Sequence, residues 1–242
     1  MRRTTKVKTS GGLRPRLGTQ LRGEMAAAYA ARGNGSADLA LHYSPKAQKD
    51  VALSGQLQFL NFLYCEIDSD VKTANYAPFS SIVRLAGENF ASLIDVEITT
   101  IDGRLIWRRL VQSEPDTAKF VEDLRTSVGR GVLANVSALE VWTYGQLTTN
   151  PIRLRSALRA VSWMAGARYW PLAQFKREVL ALIESRRTVT FDDVLSLEQG
   201  ARRALVGAAV LEMACTGTVR SDLAEVPLHG LTLFHRIGDR KC

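Results

Sequence analysis

The sequence predicts a soluble, folded protein of the mixed α/β (α+β) class, and three observations support this prediction. Segments with helical spacing of apolar residues alternate along the chain with short β-rich or alternating segments. The composition is 46% hydrophobic and 23% charged, which excludes wholesale disorder. No window reaches the ~18 uncharged apolar residues that a membrane span needs. We therefore expect a soluble protein with real hydrophobic cores, without membrane association.

The first predicted region is a helix, three strands with a hairpin, a helix, a strand and a helix. Apolar residues at Leu53, Leu57 and Leu60 have helical spacing, and Asp102-Gly103 is a strong hairpin turn. Pro151 suits the first turn of a helix. The predicted segments are a helix at 51–67, an irregular segment or strand at 71–78, extended segments at 80–85, 90–100 and 104–111, a helix at 115–128, a strand at 138–144 and a helix at 151–164.

The last third predicts three helices followed by a β-hairpin, after a joint at 166–170. This order is the winged-helix arrangement, in which the third helix usually meets DNA. Arg202 and Arg203 would then contact DNA, although they could equally form a solvated face, and such modules also bind proteins. The helices are predicted at 171–185, 191–197 and 198–215, a short strand or turn at 188–190, and the hairpin strands at 218–222 and 231–235.

Most of the net charge of +8 lies near the beginning of the sequence. Residues 1–50 hold ten Lys and Arg against three acids, whereas residues 51–242 hold 22 against 21. Glycine and proline interrupt the first twenty residues, so we interpret 1–36 as a flexible basic arm. Such an arm suits DNA, and the alternative is a solvated tail that aids solubility. Its candidate phosphate-binding residues are Arg2, Arg3, Lys6, Lys8, Arg14 and Arg16.

Cysteine and histidine usage indicates a reducing compartment and no metal cage built from these residues. The three cysteines are far apart and include no CxxC pair, and there are only three histidines. A disulfide framework and a thiolate metal site are therefore not favoured, and we expect a cytoplasmic location.

Several short segments are similar to one family of DNA-cleaving enzymes. They are Gln58-Phe59-Leu60, Ile67-Asp68-Ser69-Asp70-Val71, Tyr76-Ala77-Pro78, Ile94-Asp95, Asp102-Gly103-Arg104, Thr143, Ile152-Arg153, Thr188 to Val194 and Ser221 to Thr232. In these segments the sequence resembles TnsA endonucleases, the cleavage partners in heteromeric cut-and-paste transposases. The resemblance spans about 50–240 and implies a PD-(D/E)XK nuclease-like core sheet flanked by helices, followed by a winged-helix-like C-terminal domain. The expected domains are 1–36, 37–166 and 167–242.

The departures from this family concern its metal-binding residues. Gln58 stands where the family has a glutamate, and Trp107 and Arg109 stand where it has the acid and the lysine of its E-x-K motif. Of the expected acids only Asp95 remains. Tryptophan cannot bind a hard cation, and an arginine would compete with the metal for Asp95. We therefore expect a vestigial centre of Asp95, Glu97 and Arg109, with no metal and no cofactor.

Two further interpretations of the same acids remain open. Asp95 and Glu97, with Glu66 or Glu88 nearby, could hold Mg²⁺ in an active endonuclease. Alternatively, Asp95 and Glu97 face solvent or form ion pairs with Arg108 or Arg109 across the hairpin.

The leading functional hypothesis is a DNA-binding protein with a degenerate nuclease core. It would hold DNA, at element or replicon ends, through the arm, the winged-helix tail and the cleft residues Arg104, Arg108 and Arg109. The alternatives are an active endonuclease subunit of a transposase and a protein-interaction subunit that binds a transposase or ATPase. A homodimer is also left open.

Overall fold

The computed structural model describes residues 39–86, 88–91, 93–127 and 135–237, which form a mixed α/β structure. Its strands are β1 (Leu39–Ser44), β2 (Lys49–Ser54), β3 (Val71–Asn75), β4 (Val96–Thr100), β5 (Leu105–Val111), β6 (Ala138–Thr143), β7 (Thr188–Thr190), β8 (Val219–Ser221) and β9 (Leu233–Arg236). Its helices are α1 (Gly55–Ile67), α2 (Phe79–Ala86), α3 (Glu88–Ala91), α4 (Glu114–Ser127), α5 (Tyr144–Thr148), α6 (Pro151–Ala167), α7 (Ala173–Arg186), α8 (Phe191–Leu195) and α9 (Arg202–Cys215).

A hairpin that the sequence analysis missed precedes the first helix. β1 and β2 pair antiparallel, with Leu39 opposite Ser54 and Ser44 opposite Lys49. The helix predicted from residue 51 therefore begins only at Gly55. Gly55 has a φ of 75°, a left-handed conformation that favours glycine and allows the chain to turn from strand into helix.

The central sheet has four strands in the order β3-β4-β5-β6. β4 pairs antiparallel with β3 and with β5, and β6 pairs parallel with β5. One face buries Val96, Ile98 and Ile106 in the same apolar core as α1. The other face buries Trp107 against apolar residues of α2, α3 and α4. Helices therefore cover both faces, as the sequence analysis predicts.

Two segments predicted as extended are helical. Residues 80–85 lie in α2, and residues 90–91 lie in α3, so that β4 begins only at Val96. The Pro78 carbonyl accepts the backbone N–H groups of Ser81 and Ile82, which starts α2. Ile82 and Phe90 are fully or almost fully buried in the core on the second face of the sheet. Their apolar side chains cover the sheet instead of extending it, which explains the wrong prediction.

The C-terminal part contains three helices and a small antiparallel sheet. α9 packs on α6, α7 and α8, and the sheet has the strand order β7-β9-β8. Asn150 caps α6 by accepting the backbone N–H of Arg153 at 2.8 Å. One apolar core runs from Leu53 to Phe234, and α6 packs on both α1 and α9. The boundary at 166/167, in the last turn of α6, stays a prediction.

Among the described helices, none combines the length and the apolar character that crossing a membrane requires.

Candidate functional site

Asp95 lies immediately before β4, where groups of β5 bind its carboxylate. Its Oδ2 accepts the backbone N–H of Leu110 at 2.7 Å, and its Oδ1 lies 3.3 Å from Nη1 of Arg109. Burial raises the pKa of Asp95, while the Leu110 amide and the Arg109 guanidinium act in the opposite direction. Both carboxylate oxygens are therefore bound by the protein itself, and the Asp95–Arg109 ion pair is one that the sequence analysis considers.

Glu97 makes a separate set of hydrogen bonds. Its Oε1 accepts the Ser81 hydroxyl at 2.9 Å, and its Oε2 accepts the Trp107 indole N–H at 3.2 Å. Glu97 and Trp107 are direct partners in the β4–β5 register, so their side chains share one face of the sheet. Among the described residues, no group of three or more His, Cys, Asp or Glu side chains is placed to hold a metal ion.

Trp107 is buried in the apolar core on the second face of the central sheet. The side chain is 0% exposed, and its ring centroid lies 5.2 Å from that of Phe90. Ile82, Ile94 and Phe120 complete this core. The expected vestigial residues Asp95, Glu97 and Arg109 thus lie on one face, but an aromatic core occupies the position between them and the helices.

Arg108 points to the opposite face and is buried between the sheet and α1. Its guanidinium donates to Glu140 Oε2 from Nε at 2.9 Å and from Nη2 at 2.7 Å, and to Asn61 Oδ1 at 2.6 Å. It also lies 3.8 Å from the Trp142 ring centroid. The residue is 6% exposed, so it does not reach a DNA phosphate, contrary to the sequence-based expectation.

Arg104 and the α9 arginines lie on the surface. Arg104 is in the β4–β5 turn and pairs with Asp102 at 2.7 Å, with 60% of its side chain exposed. Arg202 binds Glu198 at 2.7 Å and lies over the Phe175 ring. Arg203 is exposed in the first turn of α9.

The rest of α9 is enclosed by its neighbours. Val206 to Leu211 and Met213 to Cys215 are buried, and Gly207 packs so closely under Trp163 that a Cβ there would clash with the indole. The exposed arginines of α9 therefore lie in its first turn, and the DNA contact expected of this helix stays a prediction.

The basic residues Arg2, Arg3, Lys6, Lys8, Arg14 and Arg16, assigned to the arm, lie outside the described residues.

A basic segment that the sequence analysis missed covers α6, α7 and their connection. Residues 151–187 contain eight bases and two acids, a net charge of +6. Four of the arginines are exposed and make no ion pair with a described residue: Arg155, Arg159, Arg177 and Arg187. A charge count over short windows would have found this segment, whereas the count over 51–242 cancels it against acids elsewhere.

Two exposed aromatic residues follow α6 in this segment. Tyr169 is 66% exposed and Trp170 is 61% exposed. Arg168 lies with its guanidinium carbon 4.8 Å from the Tyr169 ring centroid and binds Asp50 at 2.9 Å. Trp170 and Tyr43 both line a recess of about 250 Å³. From the sequence, residues 166–170 are interpreted only as a joint between helices.

Glu66 lies in the contact between the β1–β2 turn and α1. It is fully buried and accepts hydrogen bonds from the Ser44 hydroxyl at 2.6 Å, the Tyr76 hydroxyl at 3.0 Å and the Lys46 amide at 3.1 Å. It therefore anchors the hairpin. The other additional acid considered from the sequence, Glu88, has its side chain outside the described part of the structure.

Glu66 predicts a specific pH dependence of stability. Burial raises the pKa of Glu66 above its usual 4.5, so between 4.5 and the raised value the folded state binds more protons than the unfolded state. The Glu66 contribution to the free energy of unfolding therefore falls as pH rises through this window. In Glu66→Gln that fall is expected to disappear, as measured by denaturant unfolding at several pH values. Glu184→Gln controls for the lost charge, and an unchanged pH profile in Glu66→Gln would contradict the prediction.

No protein-family model and no curated protein matches the chain.

Proposed function

We propose that this chain is a DNA-binding protein with a TnsA-like nuclease core that does not cleave. The absence of cleavage is supported by the hydrogen bonds and the ion pair that already engage the two candidate metal-binding acids. Asp95 is bound by Arg109 and Leu110, and Glu97 by Trp107 and Ser81. Hard divalent ions need several oxygen ligands. Within the described residues no third acid joins Asp95 and Glu97 in a possible metal site, and the Arg109 guanidinium competes with a cation for Asp95.

The strand arrangement supports the nuclease-like interpretation. α1, the antiparallel strands β3, β4 and β5, α4 and the parallel strand β6 occur in the order expected for the PD-(D/E)XK core, with α2 and α3 between β3 and β4. Asp95 precedes the second of these antiparallel strands, and Trp107 and Arg109 lie on the third, on the face of Asp95. The helices α7–α9 and the sheet order β7-β9-β8 support the winged-helix interpretation of the tail.

The charge distribution supports DNA binding. The arm is basic by sequence, and α6 and α7 add exposed arginines, including Arg155 and Arg177, that pair with no carboxylate of the described part of the chain. Arg104 and Arg203 are further exposed candidates. Each phosphate that such a side chain neutralises releases condensed counterions, so affinity gained in this way must decline with salt.

A mobility-shift series with duplex DNA across salt concentrations tests the binding. Compared with the full chain, removal of residues 1–36 and the double variant Arg155→Gln/Arg177→Gln are each expected to weaken binding and flatten its salt dependence. The slope should change by about 0.9 for each lost phosphate contact. Neither arginine makes a described hydrogen bond or ion pair, so their loss should leave the fold intact.

The matched control is Lys72→Gln, which removes an exposed positive charge from β3 and should leave the salt slope unchanged. If the truncated chain and the double variant both bind duplex DNA as the full chain does, the proposed DNA-binding surfaces are wrong.

A further inference from the structure

The connection between α6 and α7 exposes more aromatic surface than folding alone explains. The chain has four tryptophans, of which Trp107 is 0% exposed, Trp142 and Trp163 are partly buried against the main core, and Trp170 is 61% exposed. Tyr169, next to it, is 66% exposed. Adjacent exposed aromatic residues of this size are typical of a binding surface, since burying them would otherwise stabilise the fold.

These aromatic residues lie at the end of a basic helix face. Arg155, Arg159, Ser162 and Gly166 are exposed at successive spacings of three or four residues and so follow one face of α6. Residues 151–172 contain no acid. From Arg155 to Gly166 this face extends about 16 Å at 1.5 Å per residue. The surface therefore combines positive charge along its length with aromatic rings at one end.

The carboxylates near the rings are already neutralised. Asp50 pairs with Arg168 at 2.9 Å, and Glu212 pairs with Lys176 at 2.9 Å, beside the recess under Trp170. Within the described residues, neither Arg155 nor Arg159 pairs with a carboxylate, and Arg159 Nη1 donates to the Leu228 carbonyl at 2.7 Å. An occupant of this surface must thus offer both negative charge and flat apolar groups.

We propose that this aromatic–arginine surface, formed by Arg155, Arg159, Arg168, Tyr169 and Trp170, binds single-stranded DNA. Unpaired bases stack on Trp170 and Tyr169, and the phosphates follow the arginines of α6. Every base has a π face, so such stacking is tolerant of sequence, whereas a duplex keeps its base faces inside its own stack. The inference rests on the proposed DNA binding and deepens it by naming the form of DNA.

Tryptophan fluorescence and affinity with oligo(dT) test the inference directly. The indole emission of the full chain should be quenched saturably, and Trp170→Phe should lose most of the quench while retaining most of the affinity. Trp170→Ala and Tyr169→Ala should each weaken oligo(dT) binding on the order of ten-fold, because stacking on the ring is lost. Duplex affinity should change by less than about two-fold, since a duplex does not present its base faces.

Phe79→Ala is the matched control, because Phe79 is a 51% exposed aromatic residue on α2 and should not affect either affinity. Circular dichroism checks that each variant folds. Unchanged oligo(dT) affinity in Trp170→Ala, or a loss equal for oligo(dT) and duplex, overturns the inference. If the inference fails in either way but the full chain still binds duplex DNA, the proposed DNA-binding function is not affected. If the full chain binds neither oligo(dT) nor duplex DNA, both the inference and the proposed function are wrong.

Discussion

Replacement of Trp107 by alanine is expected to lower the free energy of unfolding by about 3–5 kcal/mol. The side chain is 0% exposed and packs against Phe90, Ile82 and Phe120 on the second face of the central sheet. Its removal leaves a cavity and also takes the indole N–H away from Glu97. Equilibrium denaturation of the full chain measures the loss.

Trp170→Ala is the control for this prediction. It removes the same side chain from an exposed position and should change the free energy of unfolding by no more than about 0.5 kcal/mol. Trp107→Phe should fall between the two, because it retains part of the buried ring but not the indole N–H. A Trp107→Ala loss as small as that of Trp170→Ala would show that Trp107 does not fill the core.

Replacement of Arg108 by alanine is expected to destabilise the protein by about 3–5 kcal/mol. The guanidinium binds Glu140 and Asn61 and is almost completely buried, so its removal leaves the Asn61 oxygen without its charged donor. Arg109→Ala is the comparison, since that side chain is 32% exposed and its partner Asp95 also accepts from the Leu110 amide. Denaturant unfolding of both variants provides the measurement.

Duplex affinity separates the structural role of Arg108 from a DNA contact. Arg108→Met retains apolar packing, and combined with Glu140→Gln it should recover part of the lost stability, because no unpaired charge then remains. Its duplex affinity should match that of the full chain. Equal destabilisation by Arg108→Ala and Arg109→Ala would contradict the structural role of the buried Arg108. A lower salt slope of duplex binding in the folded Arg108→Met/Glu140→Gln variant would also contradict it.

Local signals predicted much of the element order. Asp102-Gly103 forms the β4–β5 turn, with Gly103 at a φ of 82°, and Pro151 begins α6. The apolar segments 80–85 and 90–95 were mistaken for strands because short apolar runs lack a decisive period. Whether they extend a sheet or cover it depends on tertiary contacts. The β1–β2 hairpin was missed because its apolar residues also fit the spacing of the helix that follows.

Strand alternation explains which residues of the candidate site share a face of the sheet and which do not. Trp107 and Arg109 are two residues apart on β5 and share the face of Glu97 and Asp95, as expected. Arg108 lies between them and must point to the other face, towards α1. The expectation that Arg108 lies in the same cleft as Arg109 disregards this alternation of side chains along a strand. Tyr169 and Trp170 were missed because the solvent exposure of their side chains depends on tertiary packing, which the sequence of a short connection does not show.

The most direct test of the account is a single gel that reads binding and cleavage together. The full chain is incubated with supercoiled plasmid and Mg²⁺ or Mn²⁺, and half of each sample is deproteinised before loading. We expect the intact sample to be retarded and the deproteinised sample to remain supercoiled, because Arg109 and Trp107 hold the acids that a metal would need. Nicked or linear DNA that disappears with Asp95→Ala would contradict the account.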